Sequence, residues 1–257
     1  MKITIVTVVL NAKNNIEETI QSILSQTYKD IEYIIIDGES NDGTIDILKK
    51  YESKITKLLI EKDNGLYDAM NKALEISTGD FLIFMNSGDS FVTSYIIEGV
   101  VNSIKINNAI YYGNVILLNP LKKNASFFGG YFGKHRLCFK NICHQSVFYP
   151  NSVYKTHKYD LTYKIFADYM YNITLKAEKV HFIHLKTIIS FFELGGLSDA
   201  GDEQLAIDKG KIILNNFGFY YYIYYILKKN VRIRPLIKSL KELKTFGKKR
   251  RTANDEF

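Results

Sequence analysis

Apolar residues in the first part of the chain concentrate in short β-prone runs, of which Phe81 to Met85 is wholly apolar. The runs are separated by segments where apolar residues recur at helical spacing. Ile3 to Leu10, Ile31 to Ile36, Lys57 to Ile60 and Phe81 to Met85 are the runs. A run of four to eight β-prone residues without alternation predicts a strand covered on both faces. Between them, Ile16, Ile20, Ile23 and Leu24 share one helical face, as do Leu66, Ala69, Met70, Ala73 and Leu74. A shorter set, Ile45, Ile47 and Leu48, follows Gly43. Asn15 with Glu18 three residues on predicts a capping box at the start of the first helix. This order of strands and helices predicts an α/β fold with a mostly parallel sheet and helices on both faces.

After about Ala109 the rhythm changes. Ile110 to Leu118, His144 to Tyr149, Val180 to His184 and Thr187 to Glu193 predict strands, and Ile165 to Ala177 predicts a helix. Gly129, Gly130 and Gly133 mark turns. From Asp202 onward the pattern is helical and basic. No repeat, low-complexity tract or Pro/Gly/Ser-rich linker interrupts the chain, so one domain with a C-terminal extension is expected.

Two of the apolar runs deliver acids into turns of small and polar residues. Asp37 is followed by Gly38-Glu39-Ser40-Asn41-Asp42-Gly43-Thr44, and Phe81 to Met85 leads into Asn86-Ser87-Gly88-Asp89. Acids at the carboxyl ends of two strands of one α/β sheet mark a ligand crevice. A carboxylate at Asp37 can accept from a base or a ribose hydroxyl. Asp89 can hold Mg2+ or Mn2+ on a diphosphate, because phosphates and waters fill the remaining coordination positions. Spacing alone also allows Asp37 and Asp42 to be turn residues and Asp89 a helix cap.

The chain has 257 residues, is 46% apolar, and carries a net charge of +7. Its two cysteines, Cys138 and Cys143, are too few for a disulfide framework, and no His/Cys spacing suggests zinc. No signal peptide and no spanning run of about 18 apolar residues appears, which predicts a cytoplasmic protein. The charge is uneven. Thirteen basic residues and one acid, Glu242, lie between Lys209 and Arg251, a net +12 that leaves the rest of the chain at −5. The aromatic run Phe217 to Leu227 precedes most of them. Tyrosines beside Lys/Arg clusters suit a bilayer interface and predict an anionic membrane surface as partner; a helix packing its tyrosines on the body is the other reading. No nucleic-acid-binding module is present.

Four segments, taken in order, carry a resemblance. Ile3 to Asn11, Ile36 to Thr44, Glu61 to Ala73 and Phe84 to Asp89 resemble family 2 glycosyltransferases, in particular bacterial enzymes of colanic acid, O-antigen and capsule assembly. The resemblance spans residues 1 to about 200. It implies a GT-A, Rossmann-like fold, a nucleotide-sugar donor, a divalent metal and inversion at the anomeric carbon. It implies a nucleotide-sugar-binding half (1–112) and an acceptor half (113–200); the helical basic tail (201–257) lies beyond it. Asp37 falls at the acid that contacts the nucleoside, although Gly38 stands where many relatives have a second acid. Asp89 matches the last acid of the metal-binding DXD motif, whose first acid is replaced by Ser87. Thr7, Asn11, Glu39, Asp63, Asp68, Ser87 and Gly88 would line the donor site. Asp168 resembles the catalytic base. His144, Gln145, Glu193, Gly195 and Gly196 match motifs expected near the acceptor and donor phosphates.

The expected activity is therefore metal-dependent inverting transfer. A sugar would pass from a UDP-hexose or UDP-N-acetylhexosamine to a lipid-linked saccharide at the inner face of the cytoplasmic membrane. A catalytically silent sugar-nucleotide-binding protein of the same fold is the alternative.

Overall fold

The computed structural model describes residues 1–196 and 203–229. Leu197 and Ser198, which follow Gly196, and the basic stretch from 230 onward with Arg232 to Arg251, lie outside the described residues. The chain divides into two compact units. One comprises Met1–Phe132 with Asn141–Leu205. The other comprises Gly133–Lys140 with the described chain from Ala206 onward.

In the first unit the apolar runs are strands as their composition requires. β1 (Ile3–Val9) is buried along its whole length. α1 (Ile16–Leu24) turns Ile16, Ile20 and Ile23 inward. β2 (Ile31–Asp37) extends one residue beyond its apolar run and ends on the acid itself. α2 (Thr44–Tyr51), β3 (Lys57–Ile60), α3 (Leu66–Ile76) and β4 (Phe81–Phe84) follow. β1 pairs in parallel with both β2 and β4, and β2 with β3. Their carboxyl ends therefore stand side by side, with Asp37 at one and the Asn86–Asp89 turn at another.

The rest of the unit adds β5 (Ser90–Phe91), α4 (Ile96–Ser103), β6 (Ile110–Asn119) and β7 (Asn124–Phe128). In the second unit α5 (Lys134–Leu137) comes next. The chain then returns to the first unit with β8 (Val147–Pro150), α6 (Asn151–Tyr154), α7 (Ala167–Ala177) and β9 (Phe182–Glu193). α8 (Glu203–Phe217) and α9 (Phe219–Lys229) complete the described chain. The sheet order is β3-β2-β1-β4-β8-β6-β9-β5, with β7 hairpinned onto β6. β8 runs antiparallel between β4 and β6 and so joins the parallel half to the rest.

Three expectations need correction. The capping box at α1 does not form: Asn15 makes no side-chain cap. The amides of Asn15 and Ile16 both bond Ala12 O, so the chain enters the helix through a tight turn instead of the extended cap that a reaching side chain needs. The strand expected from His144 begins only at Val147. His144–Ser146 is a 3₁₀ turn, closed by Ser146 bonding Cys143 O through both its amide and its hydroxyl. The two strands expected between 180 and 193 are one, β9, which passes through Lys186 in the left-handed region. Its irregularity is absorbed by a register shift against β6 at Asn114.

Candidate active site

Asp89 is placed by the turn that follows β4. Gly88 has φ +95, a conformation that glycine reaches without strain, and it folds the chain back so that Asp89 enters the protein. Thr19 of α1 pins the turn: its Oγ1 donates to Asp89 O (2.8 Å) and accepts from Gly88 N (3.1 Å). The Asp89 side chain is 5% exposed. Gln145 Nε2 donates to Oδ2 (2.8 Å), and the Glu193 backbone amide donates to Oδ1 (3.3 Å). Burial is the main influence and pushes the carboxyl up to about 7, against the lowering effect of Gln145 and of nearby His144. On the same turn, Ser87 Oγ and Asn86 Oδ1 are buried without a partner. Among the described residues no group of three His, Cys, Asp or Glu could hold a metal alone. One carboxylate with the orphaned Ser87 hydroxyl nearby is a hard-oxygen donor set. It fits a divalent ion whose remaining positions are filled by a diphosphate and water.

Asp168, in the first turn of α7, is 6% exposed and surrounded by donors. Its Oδ1 accepts from Tyr169 N (2.8 Å) and from the Tyr67 hydroxyl of α3 (2.9 Å), which also reaches Ile165 O. Its Oδ2 accepts from Asn141 Nδ2 (2.8 Å) and His144 Nδ1 (3.3 Å). The orientation of Asn141 follows from a chain of hydrogen bonds. Tyr149 OH donates to Asn172 Oδ1, so Asn172 Nδ2 donates to Asn141 Oδ1, which leaves Asn141 Nδ2 for the carboxylate. Burial, and then the Asp168 charge, hold Tyr67 well above the usual phenol range, so it stays a donor. His144 Nε2 meets Asn86 Nδ2 at 3.1 Å. The 3₁₀ turn thus sends two consecutive side chains different ways, His144 to Asp168 and Gln145 to Asp89.

The third group lies at the ends of β1 and β2. Asp37 is fully buried, and its two oxygens accept from Ser40 N (2.8 Å) and Ser40 Oγ (2.7 Å). Ser40 Oγ in turn accepts from Asn11 N, and Asn11 Oδ1 accepts from Asn41 N. Asp37 therefore closes this turn. Thr7 is also fully buried; its hydroxyl donates to Met85 O and meets Tyr33 OH, tying β1 to the end of β4. The Asp63 carboxylate stands over Gly38: Oδ2 lies 2.5 Å from where a Cβ on Gly38 would be. Asp68 accepts from Asn64 N and is not joined to that carboxylate by a hydrogen bond. Glu39, Gly195 and Gly196 are exposed on turns, Glu39 at φ +65.

Residues 4–149 match the family described as Glycosyl transferase family 2. The chain belongs to this family. It is 33% identical over 201 residues to a PGL/p-HBAD biosynthesis glycosyltransferase of Mycobacterium tuberculosis, covering 74% of this chain and 76% of that one. It is 37% identical over 113 residues to the Escherichia coli UDP-Glc:alpha-D-GlcNAc-diphosphoundecaprenol beta-1,3-glucosyltransferase WfaP, covering 43% of this chain and 40% of that one. Among solved structures, S. aureus TarS 1-349 in complex with UDP-GlcNAc superimposes with a TM-score of 0.68 at 15% identity, over 84% of this chain and 67% of that one. The fold is that of the GT-A glycosyltransferases.

Three side chains of the glycosyltransferase's site were not singled out in the sequence: Tyr67, Asn141 and Asn86. Tyr67 and Asn86 lie inside the motif segments, next to the acids that drew attention. Asn141 carries no signal beyond its place just ahead of Cys143-His144. In the second unit, Tyr221 and Tyr224 pack their rings on His135, and Tyr225 packs on Phe139. The same helix α9 exposes Phe219, Tyr220, Ile223 and Ile226. Among the described residues no helix is long and apolar enough to cross a membrane.

Proposed function

We propose that this glycosyltransferase moves a sugar, with inversion, from a UDP-hexose or UDP-N-acetylhexosamine to a lipid-linked saccharide at the cytoplasmic membrane face. The observation that carries the proposal is the pairing on one rigid turn: Gln145 fixes the buried acid at the end of β4, and His144 meets the buried acid of α7. Inverting transfer is a single displacement that needs charge stabilisation on the leaving side and proton removal on the acceptor side. Asp89, with the Ser87 hydroxyl, would hold a divalent ion. That ion, when bound, would supply positive charge to the departing diphosphate. The Asp168–His144 pair would take the acceptor proton. Asp63 over Gly38, with Asn11 and the Asp37 turn, would receive the nucleoside in the 1–112 half, and the 113–200 half would receive the acceptor. Glu193, which ends β9 with its amide on Asp89, and Gly195 and Gly196 just after it would border the phosphates. A lipid-linked acceptor is supported by what the WfaP name specifies for that relative. It is also supported by the outward apolar face of α9 running into the basic residues from Lys228 onward.

The test is a screen of UDP-glucose, UDP-galactose, UDP-N-acetylglucosamine and GDP-mannose for nucleotide release with Mn2+, without Mn2+ and with EDTA. Mn2+-dependent UDP release from one UDP-sugar is expected. Release unaffected by EDTA would remove the metal. Binding without release in any condition would leave a sugar-nucleotide-binding protein in place of an enzyme.

A further inference from the structure

We infer that the atom receiving the acceptor's proton is His144 Nε2, and that Asp168 is the positioning residue that fixes the imidazole behind it. The inference rests on the transferase reading above. A carboxylate offers about four lone-pair sites. Those of Asp168 face the Tyr67 hydroxyl, the Tyr169 amide, Asn141 Nδ2 and His144 Nδ1. Both side chains are largely buried, 9% exposed for Asp168 and 12% for His144, but a hydroxyl reaching Asp168 meets a carboxylate already holding four protein donors, whereas His144 Nε2 meets only one side-chain amide.

His144 has the complementary geometry. Its Nδ1 faces a carboxylate at 3.3 Å, an arrangement that places the ring proton on Nδ1 and leaves the lone pair on Nε2. The Asn86 amide covers that lone pair at 3.1 Å, with Nδ2 as the donor. Asn86 Oδ1 is then the buried oxygen left without a donor. A sugar hydroxyl entering here takes the place of the amide at Nε2, and a neighbouring hydroxyl can satisfy Oδ1. The groups facing the imidazole are Asp168 and, behind it, Tyr67 and Asn141; Asn86 from the end of β4; and the buried Asp89, whose charge is felt at short range. Cys143 precedes it with a thiol that burial pushes far up and keeps protonated.

The step balances. The acceptor O–H proton moves to Nε2 as its oxygen pair forms the bond to the anomeric carbon. The bond from that carbon to the phosphate oxygen breaks, and its electron pair leaves on the diphosphate. The imidazolium, held against Asp168, then gives the proton to solvent.

Two measurements test this. In protein carrying 15N-labelled histidine, the neutral His144 ring is expected to show a protonated Nδ1 and an unprotonated Nε2. The opposite tautomer overturns the inference, and this readout needs no turnover. The second measurement is UDP release with Mn2+ from whichever UDP-sugar the wild type hydrolyses. His144→Ala should lose roughly 10²–10⁴-fold in kcat, keep its affinity for UDP, and recover at least tenfold with added imidazole. Asp168→Ala should lower kcat and also abolish the single tautomer in the 15N spectrum. His144→Ala within threefold of wild type, or lost activity that imidazole does not restore, overturns the inference. A wild type that turns over no donor would defeat the transferase reading instead, while the tautomer stands or falls on the spectrum.

Discussion

Asp89 is a carboxylate that the fold would hold more easily without its charge. Burial raises it to about 7 from an unfolded value near 3.8, so the native state binds its proton more tightly than the unfolded chain does. Stability from this group is therefore intact below about pH 4, falls as pH rises through the window from 4 to 7, and stays low above it. In EDTA at pH 8, Asp89→Asn should melt several degrees above wild type, since a shift of this size corresponds to on the order of 4 kcal/mol. At pH 4 the two should coincide. Equal melting temperatures at pH 8 would mean that the charge is solvated after all. Glycines give a second contrast. A Cβ on Gly38 would collide with Asp63 Oδ2, so Gly38→Ala should weaken UDP binding about tenfold in calorimetry if Asp63 faces the nucleoside. Gly99, inside α4, has nothing within 4 Å of a new Cβ; Gly99→Ala should stabilise by about 0.5–1 kcal/mol. Asp89 was legible because an acid at the end of an apolar run is conspicuous, and Asp168 only through the family resemblance. Tyr67, Asn141 and Asn86 were not, since their importance lies in hydrogen bonds to residues far away in sequence.

At the scale of elements, periodicity located β1 to β4 and α1 to α3 nearly to the residue, because all but the half-exposed edge strand β3 bury a face of their own. It failed where local hydrogen bonds override an apolar run. His144–Ser146 reads as the start of a strand, yet Ser146 closes a 3₁₀ turn there, and that turn is what sends His144 and Gln145 apart. In α9 the tyrosines drew attention as an interfacial belt. Most of them instead face inward within their own unit: Tyr221 and Tyr224 enclose His135, and Tyr225 is buried. The outward stripe is Phe219, Tyr220, Ile223 and Ile226, spaced for one helical face. If this face meets lipid, Ile223→Ser/Ile226→Ser should reduce binding to anionic vesicles about tenfold at fixed salt, leaving UDP release unchanged. Unchanged flotation would assign the vesicle binding to the basic stretch alone.

At the scale of the molecule, the parallel half was legible because its strands and helices alternate in sequence. The other half was not, because its strand order departs from chain order: β8 inserts between β4 and β6, and β9 returns in parallel beside β6. No local pattern encodes a pairing between Leu82 and Tyr149. That pairing has a consequence during synthesis. When the ribosome has made β4, its all-apolar Phe-Leu-Ile-Phe edge can dock on β1, but the strand that covers its other side does not yet exist. At about 5–20 residues per second, several seconds pass before Val147–Pro150 emerges. Throughout that interval the nascent chain carries an open strand edge of the kind that templates aggregation. Chains ended after α4, near residue 105, should therefore accumulate as insoluble protein unless a holding chaperone is co-expressed, whereas chains ended after β9 should remain soluble. Soluble, monomeric 1–105 fragment would show that the open edge is protected by some other part of the sheet.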